Sequence, residues 1–418
     1  MPRIPQLACF LTSLLLAAWL VAPLDATRSD TEVRGLWVVR TSLGSPASIA
    51  RLVGQARDAG FNALFVQVRG RGDAYFSSTL EPRAAALAGQ PATFDPLADL
   101  LRAAHAARMR VHAWVNVNLV ASAVTLPAAR NHLVQQHPDW LMVPRDLAVE
   151  LGTLSPRNPA YVGRIARWTR AQLADVEGLY ASPIHPGAAA HAVAVVADLV
   201  QRYPVDGVHL DYVRYPRGDF DYGPAAMREF RASLDEELAP AEARRLAERA
   251  RTDPLVFADT FPVRWTSFRR SRLTALVMRM RTAVKSARPD ALVSAAVVPD
   301  AVEAAGVRLQ DWGLWAQTGL LDAVCPMAYT PDLSDFARQV SDAARTATPG
   351  ALWAGIGAYK LDPAQALAQI QEARRAGSTG YVLFSYDSMT DPSQPAADYL
   401  EQVGRAALDA ATLDGGMR

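Results

Sequence analysis

Cysteine is nearly absent from this chain: of 418 residues, only Cys9 and Cys325 carry a thiol. Cys9 falls in an apolar N-terminal run, so one cysteine is left for the rest of the chain and no intramolecular disulfide can brace it. Cys325 sits in an apolar stretch and reads as a small buried hydrophobe, not a nucleophile. A surplus of charge is missing too. There are 43 basic and 42 acidic residues, a net charge of +1, with no basic stripe to suit nucleic acid and no acidic tail. Long hydrophobic runs are confined to the N-terminus. After Arg3, residues 7–23 are apolar, followed by small Ala26 and a polar stretch at 27–30. That is the pattern of a secretory signal peptide, expected over residues 1–26. A retained membrane anchor is the alternative, because a run of about 17 residues is at the short limit for crossing a bilayer. Metal ligation lacks a pattern: the seven histidines form no helical pair with a Glu between, and there is no Cys pair. No metal and no other cofactor is expected. There is no Gly-x-Ser-x-Gly elbow, which argues against serine hydrolase chemistry. No glycine-rich dinucleotide loop follows the first strand, where TSLGS stands at 41–45.

What the chain does have is rhythm. Half its residues are hydrophobic, enough for a large core. Short apolar runs at 33–40, 62–69, 110–118, 205–211, 292–299, 321–329, 352–358 and 380–386 read as strands. Between them, 46–59, 96–108, 189–202, 263–287, 309–318, 333–347 and 363–376 carry apolar residues at helical spacing, and a last helix is expected at 396–411. Eight strands alternating with helices predict an α/β fold, a closed (β/α)8 TIM barrel over residues 31–410 with a short tail at 411–418. An open doubly wound sheet is the runner-up. Two long insertions break the rhythm, at 120–185 and 217–261. They follow strands three and four at their C-terminal ends, the face on which barrels grow ligand loops, and suggest a groove for an extended substrate.

The most informative segment is DGVHLDYVRYP at 206–216. Side chains alternate along a strand, so His209 and Asp211 share one face while Val208 and Leu210 share the other. A carboxylate at the strand tip, followed by Tyr212, Arg214 and Tyr215, is the layout of a catalytic barrel strand. Turning the aliphatic set of each strand outward leaves Gln67, Arg69, His112, Trp114, Asn116, Ser294, Asp300, Met327, Tyr329 and Tyr359 facing in. A structural barrel would fill that space with Val, Ile and Leu. Carboxylates, amides, an arginine and aromatic rings suit a saccharide, whose hydroxyls take hydrogen bonds and whose C–H faces stack on rings. Glycoside hydrolysis needs two carboxyl groups across the bond. Asp211 is the expected nucleophile or charge stabiliser and Asp300 the acid/base, with Asp73 and Asp387 as further carboxylates. For Asp73 a turn role, for His209 a core role and for Arg214 a rim salt bridge stand beside the substrate-binding reading.

Six segments together resemble one known family: EVRGLW at 32–37, FVQVRGRGD at 65–73, FDPL at 94–97, VHAWVN at 111–116, DGVHLDYVRYP at 206–216 and PMAY at 326–329. They are similar to the glycosyl hydrolase-like 10 family over about residues 32–390. The resemblance implies a bacterial, exported TIM-barrel glycosidase acting on a polysaccharide, with cell-wall peptidoglycan glycan as a substrate class. It also implies an Asp at the position of Asp211. The expected address is therefore secreted or periplasmic, with contact to a membrane only if the N-terminal segment is retained. The expected partner is a polysaccharide or oligosaccharide. Segment 206–216 also echoes family 18 chitinases, but Val213 stands where those place a glutamate. The alternative to hydrolysis is a catalytically inactive glycan-binding protein on the same scaffold.

Overall fold

The computed structural model describes residues 32–234, 237–396 and 398–415. The expected signal segment at 1–26 lies outside them. The described residues form ten strands: β1 (Val33–Val38), β2 (Ala63–Arg69), β3 (Arg110–Asn116), β4 (Leu119–Ala121), β5 (Leu179–Tyr180), β6 (Gly207–Asp211), β7 (Leu292–Val297), β8 (Ala323–Ala328), β9 (Trp353–Ile356) and β10 (Gly380–Phe384). Eight of them close a barrel in the order β1, β10, β9, β8, β7, β6, β3, β2, and every barrel pair is parallel. The eight expected strands are these eight. The remaining two, β4 and β5, form a separate antiparallel pair inside the first insertion.

Apolar alternation dictates this closure. Leu64, Val66 and Val68 of β2, Val111, Ala113 and Val115 of β3, and Val208 and Leu210 of β6 pack outward into the main core with the helices. The complementary set from β1, β2, β3, β7, β8, β9 and β10, including Trp37, Phe65, Trp114, Ala296, Cys325, Trp353 and Val382, packs into a second cluster inside the barrel. Helices form where sequence caps them. Ser45 and Asp362 close capping boxes and a proline follows each at the first helical position.

The helical expectations differ in detail. One helix was expected at 309–318, but two short ones form, Ala301–Val307 and Trp312–Gln317, because Asp300 and Asp311 each supply an N-cap. The last helix runs from Tyr399 to Gly415, through most of the expected tail. The two insertions are structured. The first holds the β4–β5 pair and helices Leu133–Gln136, Ala148–Thr153 and Ala160–Ala171; the second holds Pro224–Leu234, Pro240–Arg249 and Val256–Thr260. The first has an apolar cluster centred on Tyr161 and Ile165; Phe230 and Phe257 of the second pack with Trp265 of the following helix and with Ala148 and Ile184 of the first.

Candidate functional site

The barrel interior is layered, and its lower layer is closed. Phe65 stacks on His112, with ring centroids 4.5 Å apart, and Trp353 meets both edge-on. His112 fits because Gly207 has no side chain: a Cβ there would come within 2.3 Å of His112 Nδ1. Above this, Trp37 Nε1 donates to His209 Nε2 at 3.0 Å, and His209 Nδ1 meets Ser294 Oγ at 2.9 Å. With Nε2 accepting, the ring carries its proton on Nδ1. Burial pushes the His209 pKa down to about 3, so the imidazole is neutral at physiological pH. His209 is thus a satisfied core residue and does not line the cavity above it.

That cavity, about 410 Å³, opens at the C-terminal ends of the strands. Trp37, Trp114, Tyr329 and Phe384 give it aromatic walls. Gln67, Asn116, Arg40, Arg71, Arg214 and Asp211 give it polar ones. The register places Asn116 beside Asp211 on adjoining strands β3 and β6. Asp211 is 6 % exposed. Its Oδ1 accepts from Tyr212 N at 2.6 Å and its Oδ2 from Trp114 Nε1 at 3.1 Å. Tyr212 carries φ +49°, a strained value for a residue with a side chain, of the kind that clusters at functional sites. Burial raises the Asp211 pKa, opposed by Arg214 and by the Tyr212 and Trp114 hydrogen bonds. Arg214 sits 3.7 Å from Asp211 Oδ1, donates to Glu177 Oε1 at 3.3 Å, and lies over the Tyr212 ring at 4.4 Å. Burial likewise pushes the Glu177 carboxyl up, but Arg214 and Tyr180 outweigh it and the net shift is downward.

Several expected site residues are elsewhere. Arg69 is buried and turned away from the cavity, with Nε donating to both oxygens of Glu81 at 2.9 and 2.8 Å; His191 Nε2 reaches the same carboxylate at 3.2 Å. Asp300 is exposed and is not at a strand tip. Strand β7 ends at Val297, and Asp300 Oδ1 accepts from Val302 N and Glu303 N at the start of the next helix. A carboxylate turned onto its own helix end cannot face Asp211, so the expected Asp211–Asp300 pair does not form. Asp73 is a turn residue, accepting from Arg71 N at 2.9 Å. Tyr215 is buried outside the cavity, its backbone bonded to Arg308 O at 2.9 Å. Asp387 accepts from Val39 N at 2.7 Å and Ser42 Oγ at 2.5 Å, which pins the loop that carries Arg40. Tyr359 stands on the rim, 45 % exposed, edge-on to Tyr329 and Phe384. The structure thus gathers Asp211, Trp114, Asn116, Tyr212, Arg214 and Tyr329 around the cavity, with Tyr359 at its edge. It adds Trp37, Arg40 and Arg71, which sequence reasoning passed over. Trp37 was legible from its alternation with Leu36 and Val38. Arg71 was hidden because the chain turns at Gly70 and strand parity no longer applies.

Among the described residues, no group of three or more His, Cys, Asp and Glu side chains could hold a metal ion. A second cavity of about 470 Å³ lies beside the insertions, walled by Trp168, Arg145 and Arg217, and none of its lining residues belongs to a barrel strand.

Comparison with known proteins fits this geometry. The glycosyl hydrolase-like 10 family profile matches residues 32–152 and 146–369. The chain belongs to the glycosyl hydrolase-like 10 family. Over 226 residues it is 24 % identical to glycosyl hydrolase YngK of Bacillus subtilis, which covers 50 % of this chain and 38 % of that protein. It is 27 % identical over 221 residues to glycosyl hydrolase DigH of Escherichia coli, covering 45 % of this chain and 43 % of that protein. The match thus spans less than half the length of either relative. Among solved structures, the β-galactosidase of the psychrophilic Marinomonas ef1 superposes with a TM-score of 0.60 at 14 % identity, over 92 % of this chain and 60 % of that one. At that identity the likeness is one of fold.

Proposed function

We propose that this family member is a glycosidase that cleaves O-glycosidic bonds of a polysaccharide in the cavity at the barrel mouth, with cell-wall peptidoglycan glycan as its substrate class. The observation that carries the reading is Asp211: a carboxyl at the tip of β6, lining a cavity with aromatic walls, with its pKa raised by burial. A carboxyl kept protonated above the ordinary aspartate range is suited to donate a proton to the leaving glycosidic oxygen. Asp211 therefore takes the general-acid role, in place of the nucleophile or charge-stabiliser role expected from the sequence. Asn116, Gln67 and Tyr329 offer hydrogen bonds to sugar hydroxyls, and Trp37, Trp114 and Phe384 offer faces for the ring. Glu177, ionised beside Arg214, is the second carboxylate; its charge acts on Asp211, and the opposite shifts of the two groups are the pattern of an acid with an anionic partner. The N-terminal apolar segment supports work outside the cytoplasm, in a secreted or periplasmic location.

A second reading, glycan binding without turnover, is favoured by one observation: Asp211 is the one carboxylate among the residues lining this cavity. Incubation of the protein with purified peptidoglycan, its peptide-free glycan strands and plant polysaccharides separates the two. Mass analysis of soluble products should show new reducing-end oligosaccharides from the glycan strands. Retention of protein on the strands with no product would favour the binding role.

A further inference from the structure

The charges around the cavity do not balance. Three guanidinium groups line it, those of Arg40, Arg71 and Arg214, against the single carboxylate of Asp211. Arg214 is accounted for, since it faces both Asp211 and Glu177. Ion pairs on this face join Arg69 to Glu81, Arg214 to its two carboxylates and Arg217 to Glu303, and none of them involves Arg40 or Arg71. Behind the lining, Glu177 faces Arg214 and the Asp73 charge acts on Arg71, while no ion pair among the described residues involves Arg40.

Arg40 and Arg71 are both held in place. Arg40 Nη1 donates to Gln67 Oε1 at 2.7 Å. Its side chain lies flat across the backbone of Gly70, where a Cβ would come within 2.5 Å of Nη1 and 2.7 Å of Cζ. Arg71 is fixed through its backbone: its N–H donates to Asp73 Oδ1 at 2.9 Å, and its carbonyl is 2.8 Å from His132 Nε2. Burial lowers the Arg71 pKa and the Arg40 charge lowers it further, against smaller upward effects of Tyr212 and Asp73, so the two cations repel across the same partly buried mouth. Holding like charges together is costly in a partly buried setting unless an anion joins them. Arg214 is 7 % exposed, and its Nη1, 3.7 Å from Asp211 Oδ1, is within ion-pair reach but has no hydrogen-bond partner among the described residues.

We infer that the cavity takes a saccharide bearing a carboxylate, and that Arg40 and Arg71 grip that carboxylate while the ring lies against the aromatic wall. The inference rests on the glycosidase reading and narrows it. Guanidinium forks match a carboxylate in two parallel hydrogen bonds. The carboxylate has two sources with the same chemistry: the ring carboxyl of a uronic acid, or the ether-linked acid on an amino sugar of peptide-free cell-wall strands.

The test uses the full chain and two matched pairs: peptide-free glycan strands with free carboxyls against the same strands reduced to alcohols, and a polyuronate against its carboxyl-reduced form. The intact member of one pair should be turned over with a kcat/KM higher by about tenfold or more, and the responding pair names the source. Arg71→Gln and Arg40→Gln should each narrow that ratio towards one, chiefly through KM. Gly70→Ala should do the same by displacing Arg40 with no change of charge, while an unaltered melting temperature reports that the barrel is intact. Equal turnover of intact and reduced members, or variants that slow both alike, would overturn the inference. Should no glycan be cleaved, the glycosidase reading fails, and calorimetric binding of the same four glycans still decides the point. Tighter binding of an acidic member that Arg71→Gln abolishes supports the inference, and equal binding of acidic and reduced members overturns it.

Discussion

Trp114 Nε1 donates to Asp211 Oδ2 at 3.1 Å, across the β3–β6 pair and from the strand position level with His209. The bond favours the ionised carboxylate and works against the burial that raises the Asp211 pKa. Removing it should raise that pKa further. In Trp114→Phe, the ring is kept and the donor lost. If Asp211 acts in its protonated form, kcat/KM falls as pH rises through its pKa, so the alkaline limb should move to higher pH in this variant. A pH–rate profile of wild type and variant measures the displacement, and a shift to lower pH would contradict the assignment.

Arg214 opposes the same pKa with a full charge, the largest of the effects that lower it. Arg214→Gln should therefore displace the alkaline limb upward by more than Trp114→Phe does. Arg214→Lys keeps the charge and should return most of the displacement, though not the two-pronged geometry shared between Asp211 and Glu177. The same profiles, measured on both variants, check the order.

The Arg69–Glu81 pair is structural, and both side chains are at most 2 % exposed. Burial pushes the Glu81 pKa up, but Arg69 and His191 outweigh it and hold it at about 2, below the ordinary 4.5. The folded state thus loses protons more readily than the unfolded one. The pair's contribution to stability is present above the ordinary value and is lost as pH falls through about 2. Glu81→Gln leaves Arg69 charged and buried, and should cost about 3–5 kcal/mol in urea unfolding. Substituting both residues with methionine should recover much of that loss.

Asp221 has the opposite sign. Burial lifts its pKa to about 6 from an ordinary 3.8. Between those values the folded state binds a proton that the unfolded state has released, so stability falls as pH rises through that window. Asp221→Asn removes the titration. Its stability relative to wild type should rise between pH 4 and pH 7 by about 3 kcal/mol at most, read from unfolding curves at the two pH values.

The barrel was legible because each strand carries its own outward aliphatic set. Leu64, Val66 and Val68, or Val208 and Leu210, fix which face meets the helices, and strand parity then places Trp114, Asn116 and Asp211 inside. Parity stops working where strands end. Asp300 was assigned to the interior by counting on from Ser294 and Ala296, but β7 stops at Val297 and a helix cap takes the carboxylate. Arg69 is inward by the same parity, but the β2–β3 register shifts between Gln67 and Arg69 and sets it opposite outward-facing Val115, so its guanidinium needs a partner outside the barrel. Glu81, 12 residues further on, supplies it. Glu177 could not be linked to Arg214 by any spacing, because the contact forms only when the first insertion folds back over β6.

Product release by wild type and Asp211→Asn is the most direct test of the account. Asparagine keeps an oxygen to accept from Trp114 and Tyr212 and removes the proton. Wild-type protein incubated with peptide-free glycan strands should release oligosaccharides with new reducing ends. Asp211→Asn should slow release by about 10²–10⁴-fold, with its melting temperature within a few degrees of wild type. Equal release by the two proteins would contradict the account.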